Sequence, residues 1–385
     1  MKNTKQNKKV SIVLAHYNQP MYVKQALYSI LNQTYENIEL IFADDASTNI
    51  DLPELKRYVN ANNKKNINVI WQINEENVGT VKNLNRAIEK SSGDYLYFFA
   101  ADDELYNNEV IEKLVKAYEK QPSDVGIIFG QVILMDENMY ETFGTFVKEN
   151  EAAKFNDLPA SEQFKKLAAD CLVGMGAAML DAKVLKEQNN FDEKYKYIED
   201  WPYFLKITSK NYRIIYENII ALKHRDGGIS HSEIVTSVRL KYWEELLIIH
   251  EDRVLPHLKD FNYLEKEQVL QVFVNNKNNL IRHGGYYDGK KYLKFKIEHL
   301  PFFIKRKMNQ VYKEFYSFKK STISKICNCS VLLILLMNIG TYFKIKNSMV
   351  LNILMIIISL LLLLNILKYI TIWMIGIMKK LRILK

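Results

Sequence analysis

The chain has 385 residues, of which 48% are hydrophobic and 25% charged, and its formal net charge is +9. This length is typical of about two domains with a sizeable core. The three cysteines cannot pair completely, and the Cys-Asn-Cys at Cys327 and Cys329 lacks the spacing of a zinc half-site. No apolar stretch behind the basic N-terminus is long enough for a signal peptide, so we expect the catalytic part in the cytoplasm.

The chain up to Met135 alternates between strands and single helices. Strands are predicted at Val10–Ala15, Asn37–Ala43, Ile67–Ile73, Tyr95–Ala101 and Val125–Met135, and helices at Pro20–Gln33, Pro53–Ala61, Thr80–Lys90 and Asn107–Lys120. This alternation predicts right-handed βαβ units and a parallel sheet. The first half is therefore predicted to be a nucleotide-binding α/β domain.

The pattern becomes less regular after Asp136. Helices are predicted at Ser161–Ala169, Asp181–Glu187 and Glu199–Lys210, short strands at Met175–Leu180 and Tyr212–Leu222, and a Gly-containing loop at His224–Ser230. Residues Glu233–Tyr292 are predicted to form mostly amphipathic helices. A homodimer surface is expected in this helical region.

The C-terminal part is strongly apolar. A helix needs about 20 residues to cross a bilayer. Met349–Leu367 is long enough, and a segment that starts at Ile326 is nearly long enough. We predict a membrane anchor of one or two helices in residues 326–385, after a domain at 1–230 and a helical extension at 231–325. The alternative is a buried core helix.

Two basic clusters border the apolar tail. They consist of Lys305, Arg306, Lys307, Lys313, Lys319, Lys320 and Lys325 on one side, and of Lys379, Lys380, Arg382 and Lys385 on the other. Next to a membrane segment, such clusters favour anionic lipid headgroups over nucleic acid as partners. A solvated face is the alternative.

Polar side chains follow several predicted strands where these end. They are His16, Tyr17 and Asn18 after the first strand, Asp44 and Asp45 after the second, Asn77 and Lys82 around the start of the third helix, and Asp102 and Asp103 after the fourth strand. Ligands bind beyond the carboxyl ends of strands in open α/β sheets. The paired acids Asp102 and Asp103 predict a divalent cation shared with substrate phosphates, and the alternative is a helix N-cap.

Three common motifs of nucleotide-binding proteins and hydrolases are absent. No G-x-G-x-x-G follows the first strand, no G-x-x-x-x-G-K-[ST] occurs, and no G-x-S-x-G stands out. These absences argue against a dinucleotide site, a P-loop ATPase and a serine hydrolase.

Five segments resemble, in order, the successive motifs of glycosyltransferase family 2. They read SIVLAHYNQP, FADDASTN, ENVGTVKNLNRAI, GDYLYFFAADDEL and YIEDWPYFLK, and the resemblance covers about Ser11 to Ser230. It implies a GT-A fold with a Rossmann-like, mostly parallel sheet flanked by helices. It also implies inverting transfer from a nucleotide-sugar donor with Mn²⁺ or Mg²⁺.

The resemblance implies roles on the donor side of the site. Tyr17 and Asp45, with Asp44 beside it, would hold the uracil and ribose of a UDP-linked donor, and Lys82 would lie near the diphosphate. Asn18 and Asn77 complete this predicted donor-binding set.

It also implies roles at the metal and on the acceptor side. Asp103, assisted by Asp102, would bring the metal to the diphosphate, and His224 would touch metal or phosphate. Asp200 of the Glu199–Asp200 pair would be the general base, and a helix N-cap is the alternative role for Asp200. Apart from the resemblance, the neighbouring Trp201 is predicted either to stack on the acceptor sugar or to be a packing residue.

One position departs from the family pattern. Ala100 stands where the commonest form, Leu-Asp-x-Asp-Asp, has its first Asp.

The main interpretation of the sequence is a membrane enzyme on the cytoplasmic face that adds single sugars to a lipid-linked cell-surface glycan, such as a capsule or O-antigen. Single-sugar transfer is expected because the Gln-x-x-Arg-Trp motif of processive synthases is absent. The alternatives are an inactive GT-A scaffold and a polyprenyl-phosphate glycosyltransferase.

Overall fold

A computed structural model describes residues 7–226, 236–307 and 309. The chain divides into two compact units, residues 1–298 and 299–385, so the helices between residues 236 and 298 belong to the same unit as the sheet. None of the described helices is long and apolar enough to cross a bilayer. The predicted membrane anchor, residues 326–385, lies outside the described residues.

The first unit is built on one mixed sheet. In the described part of the chain its nine strands are β1 Val10–His16, β2 Ile38–Asp44, β3 Asn68–Ile73, β4 Tyr95–Ala100, β5 Glu104–Leu105, β6 Val125–Met135, β7 Thr142–Thr145, β8 Ala178–Asp181 and β9 Arg213–Arg225. The strand order is β3-β2-β1-β4-β8-β6-β9-β5, and β7 pairs with β6.

The prediction of a mostly parallel sheet is correct for one half of the sheet and wrong for the other. The neighbours β3, β2, β1 and β4 are parallel, as the βαβ pattern requires. The short strand β8 then enters antiparallel between β4 and β6, and β5 and β7 add further antiparallel pairs. Only β6 and β9 restore a parallel pair. A four-residue strand carries too little pattern to reveal its direction.

Helices cover the sheet and complete the unit. They are α1 Val23–Leu31, α2 Leu52–Asn62, α3 Thr80–Lys90, α4 Val110–Tyr118, α5 Glu149–Asn156, α6 Ala160–Ala169, α7 Ala182–Glu187, α8 Asp200–Ser209, α9 Ser237–Ile249, α10 Tyr263–Arg282 and α11 Gly289–Glu298. The helical region predicted after the sheet is confirmed by α9 to α11, and α10 packs against α9 and α6. Helix α5 was not predicted.

The core explains where the polar strand ends must lie. Every residue of β2 is buried, and β1 is buried except for Ala15, which is half-buried, because helices cover both faces of these central strands. Helix α3 contributes Val81, Leu84, Ala87 and Ile88 to the same interior. The first place where these strands can carry polar groups towards solvent is therefore their carboxyl edge.

Candidate active site

The carboxyl ends of β1, β2 and β4 meet at one edge of the sheet. The register places His16 beside Asp44, and Ala15 beside Ala100. Hydrogen bonds continue past the strands, from Asp45 N to His16 O at 3.0 Å and from Ala101 N to Ala15 O at 2.9 Å. The backbone thus brings three predicted polar clusters to one edge, as the parallel pattern of this half of the sheet indicated.

Asp44 is buried and fully engaged by its neighbours. Its carboxylate accepts hydrogen bonds from His16 Nδ1 at 2.7 Å, from Ser47 N at 2.9 Å and from Ser47 Oγ at 2.5 Å. Burial raises the pKa of Asp44, but these hydrogen bonds outweigh burial and lower the pKa below its usual value. Asp44 therefore stays ionised and fixes the loop after β2.

Asp45 holds the loop that precedes α3. Its Oδ1 accepts from Asn74 Nδ2 at 3.0 Å and from Val78 N at 2.9 Å, and its Oδ2 accepts from Gly79 N at 2.8 Å. Asn77 Nδ2 lies 3.5 Å from Asp45 O. Since all these donors come from residues 74–79, Asp45 sets the shape of this loop.

Asn18 connects the loops after β1 and β2. It adopts a left-handed conformation with φ of 54°, its N–H donates to Ser47 Oγ at 2.8 Å, and its Oδ1 accepts from Thr48 N at 2.9 Å. The neighbouring Tyr17 is 47% exposed, and Lys82 is exposed on the first turn of α3. An aromatic ring and a cation are therefore accessible beside the fixed loops.

The turn after β4 carries the second acidic pair. Asp103 is 5% exposed and accepts from His224 Nδ1 at 3.0 Å and from Arg225 N at 3.0 Å. Burial lowers the pKa of His224, but the Asp103 carboxylate outweighs burial and raises it. His224 was predicted in a loop, but it lies on β9, which runs to Arg225.

Arg225 was missed at the sequence level. It is 3% exposed, stacks over the Tyr22 ring at 4.0 Å, and donates to Asp102 O at 2.8 Å and to Gln25 Oε1 at 2.9 Å. It also donates to the carbonyl of Glu137. A buried arginine with these contacts fixes the turn after β4 against α1, and an arginine directly after the predicted site residue His224 was the available signal.

The acidic pair fits a metal that is shared with a substrate. Burial and the charge of Asp103 raise the pKa of half-buried Asp102, so the pair carries negative charge that a cation would relieve. In the described part of the chain, no three His, Cys, Asp or Glu side chains form a complete metal site. Mg²⁺ sites commonly use one or two carboxylates plus phosphates, and Asp102 and Asp103 fit that pattern.

Glu199 and Asp200 form a third acidic pair, at the start of α8. Burial and the charge of Asp200 raise the pKa of Glu199 to about 8, and burial raises that of Asp200. Asp200 Oδ1 accepts from Trp201 N at 2.6 Å. Tyr242 of α9 faces the pair, and its pKa is raised by burial and by both carboxylates. This pair therefore retains affinity for a proton near neutral pH.

Trp201 is placed differently from its neighbours. Its side chain is buried, its Nε1 donates to Leu167 O at 2.8 Å, and its ring packs edge-on against His250 with centroids 4.8 Å apart. This is the arrangement of a packing residue, and it does not support the predicted stacking on a sugar.

Comparison with known proteins bears on the same region. Residues 11–178 match the family model "Glycosyl transferase family 2". An uncharacterized glycosyltransferase of Methanocaldococcus jannaschii is 28% identical over 217 residues, which cover 56% of this chain and 70% of that protein. An uncharacterized glycosyltransferase of Haemophilus influenzae is 25% identical over 275 residues, or 70% of this chain and 82% of that protein.

A solved structure shares the fold. The mannosyltransferase PcManGT of Pyrobaculum calidifontis, solved with GDP-Man and Mn²⁺, is similar with a TM-score of 0.50 and 14% identity, over 79% of this chain and 84% of that one. This likeness supports a GT-A-like α/β architecture with a mixed sheet. The named relatives, together with the match of residues 11–178 to that family model, show that the chain is a glycosyltransferase.

Proposed function

We propose that the enzyme transfers a single sugar from a nucleotide-sugar donor, with UDP as the expected nucleotide, to a hydroxyl of a growing lipid-linked cell-surface glycan, with inversion. The observation that carries this proposal is that two acidic pairs, Asp44–Asp45 and Asp102–Asp103, lie with an accessible Tyr17 at one edge of the sheet, within the residues that match family 2. The strands that lead to these two pairs, β2 and β4, lie on either side of β1 and are parallel to it, and a further acidic pair, Glu199–Asp200, opens α8.

The donor would bind against the loops fixed by Asp44 and Asp45. Tyr17 offers a ring face to a nucleobase, and Lys82 offers a positive charge to a diphosphate. Because the carboxylates of Asp44 and Asp45 are already engaged by protein groups, their contribution is to preorganise the loops that receive the uracil and ribose.

Asp103 and Asp102, with His224, would hold Mn²⁺ or Mg²⁺ together with the donor diphosphate. A divalent cation held there would supply positive charge to the leaving diphosphate. Arg225 keeps the turn in place, since it contacts both the Asp103 carboxylate and the Asp102 carbonyl.

Asp200 would act as the general base. As the acceptor oxygen forms its bond to the anomeric carbon, Asp200 removes the hydroxyl proton, and the bond from that carbon to the diphosphate breaks. Attack on the face opposite the leaving group gives inversion in one step. The raised pKa of the Glu199–Asp200 pair suits a group that must accept a proton near neutral pH.

We further propose that residues 326–385 attach the enzyme to the cytoplasmic face of the cell membrane. The support is the apolar composition of this segment and its flanking lysines. Membrane attachment would place the site beside a lipid-linked acceptor.

The test is release of nucleoside diphosphate from a panel of nucleotide sugars, with Mn²⁺ or with EDTA, by the wild type and Asp103→Asn. We expect slow hydrolysis of one donor that requires Mn²⁺ and is lost in the variant. Absence of both release and donor-induced thermal shift with every donor would overturn the proposal in favour of an inactive scaffold. Transfer to bare polyprenyl phosphate would redirect it to a lipid-phosphate glycosyltransferase.

A further inference from the structure

Glu245 of α9 is a buried acid whose hydrogen bonds all reach one short segment. It is 8% exposed, and it accepts from Lys196 N at 2.6 Å, Tyr197 N at 2.9 Å and Ile198 N at 3.1 Å. Three consecutive backbone N–H groups that converge on one carboxylate form an anion-binding nest, filled here by a side chain of the same protein. No cationic side chain among the described residues pairs with Glu245, so the N–H dipoles of residues 196–198 stabilise its carboxylate.

The segment that Glu245 holds leads directly into the acceptor-side pair. Residues 196–198 immediately precede Glu199 and Asp200, which open α8. Because the backbone is fixed up to Ile198, the directions of the next two side chains depend on where Glu245 lies.

The same segment also contacts residues 79–81, where the donor loop (the 74–79 loop held by Asp45) leads into α3. Lys196 O accepts from Val81 N at 3.2 Å. A Cβ on Gly79, which has φ of 89°, would lie 2.3 Å from Lys196 Cγ and 2.9 Å from Lys196 O. Gly79 is in turn held by Asp45. A continuous path of contacts therefore joins Asp45, the donor loop, residues 196–198 and Glu245.

We infer that Glu245 is a positioning residue for sugar transfer, which holds residues 196–198 so that the base Asp200 faces the bound donor. This inference rests on the proposed function, because it takes Asp200 as the base. It makes α9 part of the catalytic unit, although α9 lies beyond the matched family domain.

The charge of Glu245 also affects the ionisation of the Glu199–Asp200 pair. The groups that face Glu199 are Asp200, Tyr242 and Glu245, with Cys171 near Asp200 and Arg239 near Tyr242. Burial, Asp200 and Glu245 all raise the pKa of Glu199. Removing the Glu245 charge should therefore shift the ionisation of the pair to lower pH, an effect that a purely structural role elsewhere would not produce.

The test uses the full chain and measures release of nucleoside diphosphate from the panel of nucleotide sugars, with water as acceptor, across pH. In Glu245→Gln the amide retains the size of the side chain but turns an N–H₂ towards backbone N–H groups. We expect kcat to fall at least about tenfold, the donor KM to change less than about threefold, and the acid limb of the pH profile to move to lower pH. Glu244→Gln, next on the same helix, is the matched control and should behave as the wild type.

A Glu245→Gln enzyme with the kcat and pH profile of Glu244→Gln would overturn the inference. If Glu245→Gln does not fold, Glu245→Asp decides, because it keeps the charge but is too short for three good hydrogen bonds. We expect a lower kcat with an unchanged acid limb, and an unchanged kcat with a raised KM would contradict the inference. Asp200→Asn is measured alongside. If it keeps wild-type kcat, the proposed base is wrong, whereas an inactive Asp200→Asn beside a normal Glu245→Gln refutes the positioning role alone.

Discussion

Two acidic pairs at this site have opposite surroundings. Asp44 and Asp45, at the end of β2, together accept hydrogen bonds from one histidine, one asparagine, one hydroxyl and three backbone N–H groups. Glu199 and Asp200, at the start of α8, lie half-buried beside each other, and Asp200 accepts a hydrogen bond from Trp201 N at 2.6 Å. The pKa of Asp44 is lowered, and those of Glu199 and Asp200 are raised.

This difference separates acids that hold the loops of the candidate site in place from acids whose surroundings suit proton transfer. A carboxylate whose lone pairs are taken by N–H and O–H donors stabilises the fold and binds protons weakly. A carboxylate buried next to another, with few donors, destabilises the fold and binds protons well, which a general base near neutral pH requires. Asp102 and Asp103 divide these properties between them, since Asp103 is held by His224 and Arg225 while the pKa of Asp102 is raised.

The largest effect is expected from Asp200→Asn, which removes the proposed base without changing its size. We expect kcat for nucleoside diphosphate release to fall about 10²–10⁴-fold, the usual contribution of a general base. Donor binding, followed as a nucleotide-sugar-induced thermal shift, should be retained because the donor loop is held by Asp45. A variant within a few-fold of wild-type kcat would show that a weakly hydrogen-bonded acid is not sufficient to mark the base.

The N-terminal half of the fold was predictable because its signals are local. The strand β6 and the helix α3 have the predicted bounds, and the other elements predicted in this half differ from prediction by a few residues at their ends. The two-residue strand β5 was not predicted. Buried parallel strands and amphipathic helices each carry their pattern within a single element. The antiparallel entry of β8 was not predictable, because strand direction depends on the path of the chain after β6.

The site was predictable as a set of residues but not as a set of roles. The end of each parallel strand pointed to Asp44, Asp45, Asp102 and Asp103. Their hydrogen bonds come from loops far along the chain, such as the 121 residues that separate Asp103 from His224. Burial of Trp201 against Leu167 of α6 and against His250, which follows α9, arises from the same long-range packing, as does the role of Arg225.

A smaller effect, on stability, is expected from Asp45→Asn. The amide keeps one acceptor oxygen but turns an N–H₂ group towards a backbone N–H of the 74–79 loop, so one buried donor loses its partner. We expect the free energy of unfolding to fall by about 2 kcal/mol in urea titrations, together with a raised donor KM. Asp51→Asn is the matched control, because Asp51 caps α2 through Glu54 N and asparagine caps equally well. Equal urea midpoints for the two variants would contradict the proposed role of Asp45.

The smallest effect has the opposite sign and tests the comparison most directly. In the native protein Glu199 stays protonated up to a pKa of about 8, while in the unfolded chain it ionises near pH 4, so its burial destabilises the protein increasingly as pH rises between these values. Glu199→Gln mimics the protonated form, and we expect it to raise the free energy of unfolding at pH 8 by about 1–2 kcal/mol, with little change at pH 4.

For Asp44→Asn we expect the opposite sign: the substitution should lower the free energy of unfolding at neutral pH. The native pKa of Asp44 is lowered, so its stabilisation is present above the unfolded pKa and disappears on acidification. Urea unfolding of both variants at several pH values measures both trends, and parallel trends would mean that hydrogen-bond satisfaction does not distinguish the two pairs.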